Sequence, residues 1–394
     1  MHILFISRWF PYPPDNGSKI RIFNLLKQLS GHHEITLLSF VQAPVSKGCL
    51  AEMESYCRSV HVAPYKEFSP NRLKAFLGFF STSPRSLVDT FSREMEALVE
   101  KVSTNHSFDV VIASEIDSTP YALLLNHVPR VFEDVELATI NDQFTRQSRL
   151  VSQVRYGLTW WKLSRFVTHL LREFDGCTVV SEQESDLVTK IVPGYRALAV
   201  VPNGVDLETN AGQFGAPRPD TLIYPGALTY SANFDAMNFF LRDIFPLVKS
   251  QCPNASLRIT GGYKGVPVEQ LSLGNGAELT GYLDDIQSAV AESWACIVPL
   301  RTGSGTRIKI LEAMALKTPV VSTSKGAEGL EVTHEENILI ADTPDDFAQA
   351  VVRLFGDETL RAKLSANGWR LVKERYSWEV CARQLEQLLN QIVK

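Results

Sequence analysis

Residues 299–329 read PLRTGSGTRIKILEAMALKTPVVSTSKGAEG, and this stretch decides the fold. It begins where the apolar run ACIVPL ends, and it contains a second apolar run, TPVVST. Between the two runs, Ile308, Leu311 and Ala315 recur at helical spacing, so a helix is predicted to end near Lys317. A strand, a glycine-containing loop, a helix and another strand form the repeating unit of a parallel α/β sheet.

The loop before this helix is predicted to bind an anion. It consists of Gly303, Ser304, Gly305 and Thr306. Free backbone N–H groups at a helix N-terminus attract negative charge, and the helix dipole adds to the attraction. Arg307 and Lys309 fall in the first turn, where cations are unfavourable unless an anion offsets them, so a diphosphate is the expected ligand.

Glu312 lies deeper in the same helix. A carboxylate at this depth can accept hydrogen bonds from both hydroxyls of a ribose, as acidic residues do in dinucleotide sites. The alternative is a surface helix that follows a glycine turn, with Glu312 paired to Lys309 or Lys317.

Short apolar runs alternate with longer amphipathic segments on both sides of this stretch. In the first half they are HILFIS (2–7), EITLLSF (34–40), VHVAPY (60–65), DVVIAS (109–114), PRVFEDV (129–135) and GCTVVS (176–181). After the polar, hinge-like segment 207–220 they are TLIYPG, SLRITGG, AELTGY, ACIVPL and TPVVST. Uninterrupted apolar strands separated by helices predict two doubly wound α/β domains. Ligands of such sheets bind at the carboxyl ends of the strands, here in a cleft between the domains.

The stretch 299–329 resembles the C-terminal signature of the GT-B glycosyltransferases of family 4 (glycosyl transferases group 1), in the subgroup with a SGTRIKILEA-type loop. The segments that carry this resemblance are LEAMA (311–315), PVV (319–321) and GAEG (326–329). It extends over nearly the whole chain, through PPDNGSKIRIFNLLKQLSGHHEITL, TVVSEQE, VPNGVD, YPGALTYSANFDA and RYSWEV. The individual segments are weakly specific, whereas their order and spacing are strongly so.

The resemblance implies the GT-B fold, with two Rossmann-like domains facing a cleft. Residues 1–206 would form the acceptor-binding domain and residues 207–375 the nucleotide-sugar-binding domain. Residues 376–394 would form a helix that crosses back to the first domain, with Trp378 as its anchor. The implied activity is that of a retaining, metal-independent hexosyltransferase without a cofactor. It would move a sugar from a nucleotide-diphosphate sugar to a glycan, lipid-linked or small-molecule acceptor in polysaccharide or glycoconjugate biosynthesis.

The chain departs from the family pattern at two places. Many members carry Glu-x7-Glu, and the position of the first Glu is Ser304 here. Many also hold the diphosphate with a Gly-Arg…Lys-Gly pair, whereas the corresponding segment 226–235 reads GALTYSANFD and has neither cation. Arg307 and Lys309 are therefore expected to bind the diphosphate and to stabilise it as it leaves. Further donor contacts are expected from residues that follow the predicted strands, namely Gly226, Gly262 and Tyr282.

Two segments of the first half are candidate parts of the site. Gly17 lies just before a predicted helix, where the family has a glycine that faces the donor phosphate or the acceptor; the alternative is a turn that only caps this helix. Glu133 and Asp134 follow a predicted strand, and the alignment with the family's Asp-Glu-His-Asn-Val-Glu segment puts them at the His and Asn positions. They are predicted to contact sugar hydroxyls, and a solvated acidic loop is the alternative.

The segment 144–172 contains six basic residues and five aromatic residues, and it has no acidic residue. A basic helix with Trp can lie on an anionic membrane or hold a lipid-diphosphate acceptor. The alternative is a structural helix that packs its aromatic side chains on the first sheet. The segment RLKAFLGFF (72–80) has the same two interpretations.

The composition of the 394 residues limits the other function classes. A net charge of −5 gives no general attraction to nucleic acid, so no nucleic-acid partner is expected. The six scattered cysteines are expected to be reduced thiols, and no Asp-x-Asp pair or His cluster offers a metal site. No apolar run is long enough for a signal peptide or a membrane span. The sequence therefore predicts a cytoplasmic protein, with peripheral contact at the inner face of the membrane through 144–172 as an option.

Three other functions remain open on the sequence alone. A nucleotide-sugar 2-epimerase would share the fold and the donor. A non-catalytic nucleotide-sugar-binding subunit would account for Ser304 in place of Glu. A Rossmann oxidoreductase is disfavoured because the first strand is followed by SRWFPYPPDNG, which is not the G-x-G-x-x-G loop that a dinucleotide requires.

Overall fold

The computed structural model describes the whole chain apart from residues 79, 146–149, 213, 275, 304–306 and 394. Three members of the predicted anion loop, Ser304, Gly305 and Thr306, therefore lie outside the described residues, as do Arg146 and Arg149. The chain divides into two compact units, one formed by residues 1–203 with 378–394 and the other by residues 204–377.

The first unit is built on a parallel sheet, which has seven strands within the described residues, in the order β3-β2-β1-β4-β5-β6-β7. The strands are β1 His2–Ser7, β2 Glu34–Val41, β3 Ser59–Pro64, β4 Val110–Ser114, β5 Arg130–Glu133, β6 Gly176–Val179 and β7 Leu198–Val200. The side chains of the central strand β1 are buried from Ile3 onward, because helices cover both faces of the sheet. The order of the strands reverses between β1 and β4, and ligands of doubly wound sheets bind at such a reversal.

Helices of the first unit follow most of its strands. They are α1 Gly17–Leu29, α2 Lys47–Glu54, α3 Leu73–Leu77, α4 Arg85–Thr90, α5 Arg93–Asn105, α6 Thr119–Ala122, α7 Ala138–Thr145, α8 Leu150–Leu171 and α9 Glu182–Ile191. Helix α1 begins at Gly17, one residue earlier than predicted, and the side chain of Asn16 caps it by accepting a hydrogen bond from the backbone N–H of Lys19.

The second unit repeats this plan with strands in the order β10-β9-β8-β11-β12-β13. They are β8 Arg218–Pro225, β9 Ser256–Thr260, β10 Ala277–Gly281, β11 Ser293–Val298, β12 Val320–Ser322 and β13 Leu339–Ile340. Its helices are α10 Ser231–Phe239, α11 Phe245–Gln251, α12 Ile286–Ala291, α13 Ile308–Ala315, α14 Pro344–Gly356 and α15 Glu358–Leu371, and α10 and α15 continue into π-helical turns at Phe240–Ile244 and Val372–Tyr376. The order of the strands reverses between β8 and β11, which marks the expected ligand edge.

The last helix, α16 Trp378–Ile392, packs in the first unit. Its apolar face carries Trp378, Cys381, Leu385 and Leu389, which are buried in the same core as strand β1. Trp378 is 3% exposed, so its role in the structure is that of an anchor.

The predicted fold class is confirmed: each unit is a Rossmann-like α/β domain with a parallel sheet. Strands β7 and β13 were missed, because runs of three and two residues are too short to show a pattern. Strand β8 begins at Arg218, inside the segment 207–220 that is predicted as a hinge. Its first residues show no apolar pattern, so the start of this strand could not be predicted. No described helix combines the length and the apolar character that crossing a membrane requires.

Candidate functional site

In the second unit, two of the residues predicted to bind the donor, Gly226 and Gly303, lie at the carboxyl ends of β8 and β11. Gly226 follows β8, and the loop that reaches Gly303 follows β11. Helix α13 starts at Ile308 and is preceded by Arg307 as its N-cap residue. The predicted strand and helix are therefore present at the reversal of the strand order, and residues 304–306 between them lie outside the described residues.

Lys309 is the centre of this site. Its Nζ atom donates hydrogen bonds to the hydroxyl of Tyr224 and to Oδ1 of Asn233, both at 3.0 Å, and lies 4.3 Å from the centre of the Tyr224 ring. Burial is the main cause that lowers the pKa of Lys309 to about 8, and the nearby charge of Arg307 lowers it further. None of the described residues forms an ion pair with Lys309, so the site holds a cation without a contacting carboxylate.

Two glycines leave the space that this arrangement needs. A β-carbon on Gly226 would lie 2.8 Å from Nζ of Lys309 and 3.1 Å from Nδ2 of Asn233. Gly261, which the sequence interpretation missed, has φ of +100°, and a β-carbon there would lie 2.7 Å from the backbone nitrogen of Ala227. The signal available in the sequence was the pair of glycines that follows β9, because two backbone segments this close together leave no room for a side chain.

Arg307 has partners that the sequence could not predict. Its Nη2 atom donates to the backbone carbonyls of Gly303 and Lys325, each at 3.0 Å, and lies 3.5 Å from Oε2 of Glu328. The side chain is buried, and Gly303 has φ of +101°. Arg307 therefore ties the two ends of the loop to the segment after β12, in addition to placing positive charge at the start of α13.

Glu312 is a partly buried carboxyl on α13, one turn after Lys309. Burial raises its pKa to about 7, and the charge of Lys309 opposes that rise. Within the described residues, its side chain makes no hydrogen bond or ion pair, so the predicted alternative of a pair with Lys309 or Lys317 is not observed. The carboxylate remains available to accept hydrogen bonds from a ligand.

Gly262 and Tyr282 lie at the same edge of this sheet. They follow strands that are further than β8 from β11, the strand that leads to Lys309. Gly262 follows β9, where a β-carbon would meet no atom within 4 Å. Tyr282 follows the edge strand β10 and is 81% exposed. Both remain predicted donor contacts.

In the first unit, Gly17 is the first residue of α1 and is exposed. A β-carbon there would meet no atom within 4 Å, so packing does not require a glycine. The alternative that this segment caps the helix is observed in the hydrogen bond between Asn16 and Lys19. A ligand contact through Gly17 stays a prediction.

Glu133 is buried, and both of its oxygens have protein partners. Oε1 accepts from Nε of Arg21 at 2.6 Å, and Oε2 accepts from the hydroxyl of Ser114 at 2.7 Å. Arg21 is itself 1% exposed, and its Nη2 atom has no hydrogen-bond partner among the described residues. This arrangement favours a role for Glu133 in positioning Arg21 rather than in direct contact with a sugar.

Asp134 is the more accessible of the two predicted acids, with a side chain that is 20% exposed. It has φ of +63°, and its backbone N–H donates to the hydroxyl of Thr178 at 3.0 Å. Burial raises its pKa to about 7, although Arg21, 3.9 Å away, favours the ionised form. A residue held in the left-handed region at the end of a strand is often part of a site.

Glu115 belongs to the same cluster and was missed by the sequence interpretation. It follows β4, has φ of +62°, and accepts a hydrogen bond from the indole nitrogen of Trp9 at 3.1 Å. Burial raises its pKa to about 8, and the neighbouring charges of Asp134 and Asp117 add to the rise. An acid directly after a buried strand was the available signal. The cluster therefore holds carboxyl groups that can exchange protons near neutral pH.

No group of three or more His, Cys, Asp or Glu side chains is arranged to hold a metal ion in the part of the chain that the structure describes. The predicted independence of a metal ion and a cofactor stays a prediction.

Residues 219–357 match the family "Glycosyl transferases group 1". This chain is 22% identical to a Klebsiella pneumoniae protein described as an uncharacterized 44.6 kDa protein in the cps region. The alignment is 397 residues long, gaps included, and covers 95% of this chain and 96% of that protein.

Two solved structures show the same fold along the whole chain. Alr3699/HepE of Anabaena, in complex with UDP, has a TM-score of 0.66 at 16% identity and covers 99% of this chain and 100% of its own. Sucrose-phosphate synthase of Thermosynechococcus elongatus has a TM-score of 0.67 at 18% identity, with 100% and 99% covered. The fold is that of the GT-B glycosyltransferases, and together with the family match it supports a glycosyltransferase.

Proposed function

We propose that this protein is a retaining glycosyltransferase that uses a nucleotide-diphosphate sugar. The observation that carries the proposal is Lys309, a partly buried cation that has only neutral hydrogen-bond partners among the described residues and lies where a Rossmann-like sheet binds its ligand. A buried cation without a contacting anion is costly, and a diphosphate would offset that cost. The similar HepE structure holds UDP, which is a ligand of this class.

The donor would be held by three residues with separate tasks. Lys309 would contact the diphosphate, and Glu312 would accept hydrogen bonds from the ribose. Arg307 would keep the loop at the start of α13 in place and add to the positive potential there. The same site is proposed to be lined by Gly226, Gly262, Gly303 and Tyr282. The sequence predicts that Ser304, Gly305 and Thr306 complete the loop.

Retention of configuration is implied by the family resemblance. The bond between the anomeric carbon and the diphosphate oxygen would break, with its electron pair going to the diphosphate. The acceptor oxygen would bond to the anomeric carbon from the same face, and its proton would pass to the departing diphosphate. Positive groups that are already in place stabilise the charge that develops on the leaving group.

The acceptor would bind at the carboxyl edge of the first sheet. Asp134 and Glu115 are carboxyl groups with pKa values raised to about 7 and 8, and both can accept or donate hydrogen bonds to sugar hydroxyls. Glu133 would act through Arg21. We propose a glycan, lipid-linked or small-molecule acceptor, and a cytoplasmic site of action stays a prediction.

The test has two steps. A thermal-shift screen against UDP, GDP, TDP and ADP should single out one base, since a ligand at a hundredfold excess over its Kd stabilises by about 2.7 kcal/mol. The matching nucleotide sugar is then incubated with candidate acceptors, with and without EDTA, and the products are followed by NMR. The proposal is supported if the nucleoside diphosphate is released and the glycosidic linkage of the product has the same anomeric configuration, axial or equatorial, as the donor.

Two other outcomes would replace it. A nucleotide sugar inverted at C2 would identify a 2-epimerase of the same fold. Nucleotide binding without turnover of any donor would identify a non-catalytic binding subunit. A product of inverted anomeric configuration, or activity lost in EDTA and restored by a divalent ion, would overturn the retaining or the metal-independent part of the proposal.

A further inference from the structure

Large apolar side chains are exposed in two neighbouring segments of the first unit. Within the described residues of 73–80 they are Leu73, Phe76, Leu77 and Phe80, and on α8 they are Val151, Val154, Leu158 and Trp161. Phe80 is 82% exposed and Val151 is 84% exposed. Large contiguous apolar patches are rare on the surface of soluble monomers, and they commonly mark binding surfaces.

Helix α8 has two apolar faces. The exposed residues 151, 154, 158 and 161 are spaced three and four apart, so they lie along one side of the helix. Trp160, Leu163 and Phe166 lie on another side and pack against the core of the first sheet. The predicted packing of aromatic side chains on the sheet is therefore observed, and it does not account for Trp161, which is 58% exposed.

The two segments are joined. Nζ of Lys162 on α8 donates a hydrogen bond to the backbone carbonyl of Gly78 at 2.8 Å. Residues of both segments, including Lys74, Leu77, Arg165 and Phe166, also line one mainly apolar cavity of about 1050 Å³. We call residues 73–78, Phe80 and the exposed side of α8 together the α3–α8 surface.

Cations predominate on this surface, and an exposed acid, Glu173, lines the adjoining cavity. Lys74, Arg155 and Arg165 are exposed on it, and the guanidinium of Arg165 lies 5.6 Å from the ring centre of Trp161. The segment 144–172 contributes no acidic residue. An apolar strip bordered by cations matches the interface of an anionic bilayer, where apolar side chains reach the acyl region and cations contact headgroups.

We propose that the α3–α8 surface docks on an anionic lipid bilayer. Trp161, Phe76 and Phe80 enter the boundary between headgroups and acyl chains, and Lys74, Arg155 and Arg165 contact anionic headgroups. The cavity lined by Leu77 and Phe166 lies beside this contact and can take a hydrocarbon chain. This inference goes beyond the transfer reaction, and its test needs no turnover.

The test is sedimentation of the full-length protein with vesicles of phosphatidylcholine alone or mixed with phosphatidylglycerol. We expect binding to the mixed vesicles, weaker binding to phosphatidylcholine, and weakening by salt. The apolar variant Phe76→Ser/Phe80→Ser/Trp161→Ser and the charge variant Arg155→Glu/Arg165→Glu should each lower the partition coefficient by about tenfold or more.

Matched controls change exposed residues elsewhere. Leu273→Ser removes an exposed apolar side chain of the second unit, and Lys190→Glu reverses an exposed charge on α9; both should bind as the unchanged protein does. Circular dichroism melts would show that each variant is folded. Failure of the unchanged protein to bind mixed vesicles, or equal binding by the surface variants, would overturn the proposal. Self-association in solution that the apolar variant abolishes would instead assign the surface to a second copy.

Discussion

A β-carbon on Gly226 would lie 2.8 Å from the Nζ atom of Lys309. This distance is too short for a real contact, so Gly226 and Lys309 are compatible only because residue 226 has no side chain. Gly226→Ala should displace the ammonium group from Tyr224 and Asn233. Because a hydrogen bond to a charged group is worth about 1.5–3 kcal/mol, nucleoside diphosphate affinity should fall by roughly 10- to 150-fold, as measured by calorimetry.

Gly274→Ala is the matched control for this change. Gly274 is an exposed glycine of the same unit, and a β-carbon there would meet no atom within 4 Å. Its affinity for the nucleotide should equal that of the unchanged protein. If Gly226→Ala also binds normally, the position of Lys309 is not what the nucleotide recognises.

The pH dependence of donor binding should report the charge of Lys309. Burial lowers the pKa of this group to about 8, and only the protonated form carries the charge that a diphosphate needs. Affinity should therefore be highest between about pH 7, below which Glu312 loses its charge, and pH 8, and fall by up to about tenfold per pH unit above that range. Titrations of the nucleoside diphosphate across this range measure the effect.

Lys309→Arg is the informative variant for this titration. An arginine stays protonated at all these pH values, so its affinity, whatever its size, should not decline above pH 8. A decline of the same form in Lys309→Arg would assign the titration to another group.

Most of the strands, and helix α13 between β11 and β12, could be predicted because their signals are local. Ile308, Leu311 and Ala315 recur at helical spacing, and strand β1 is an uninterrupted apolar run. The partners of Arg307 could not be predicted, since one of them is the backbone carbonyl of Lys325, which the fold brings close after another strand. Every residue has a backbone carbonyl group, so no pattern of side chains in the sequence predicts such a contact.

The candidate site of the first unit shows the same limit. Glu133 and Asp134 were found together because they are adjacent in sequence, but their different environments depend on Arg21 and Ser114. Glu115 was missed because its neighbours in the cluster come from other strands. The pairing of distant residues, rather than their type, decides which acid is buried and which is accessible.

Arg307→Ala should destabilise the empty protein. A cation at the start of a helix is unfavourable by itself, and this alone would predict slight stabilisation. The hydrogen bonds from the guanidinium to the carbonyls of Gly303 and Lys325 reverse that expectation. We expect a loss of about 1–3 kcal/mol in the free energy of unfolding, together with a 10²- to 10³-fold lower kcat. Denaturant titration and steady-state assays below the new melting temperature separate the two effects, and unchanged turnover would exclude a role in catalysis.

Glu312→Ala should weaken nucleotide binding by roughly 1–3 kcal/mol, because a charged hydrogen-bond partner of the ribose is lost. The carboxylate has no hydrogen bond or ion pair with the described residues, so little loss of stability is expected. Calorimetry with the nucleoside diphosphate and with its 2′- and 3′-deoxy analogues tests the assignment. The unchanged protein should distinguish the analogues and Glu312→Ala should not; a variant that still distinguishes them would place the ribose elsewhere.

The two adjacent acids of the first unit should respond differently to removal of their charge. Glu133 is buried against Arg21, so Glu133→Gln leaves a buried guanidinium without its closest counter-ion and should cost about 3 kcal/mol of stability. Asp134 is partly exposed and has φ of +63°, a conformation that Asn also adopts, so Asp134→Asn should keep its fold. If Asp134 contacts the acceptor, its kcat/KM for the acceptor should fall by roughly a hundredfold while donor affinity stays unchanged. Thermal melts, donor titrations and acceptor kinetics on both variants decide the matter, and an Asp134→Asn protein with normal acceptor kinetics would remove this residue from the site.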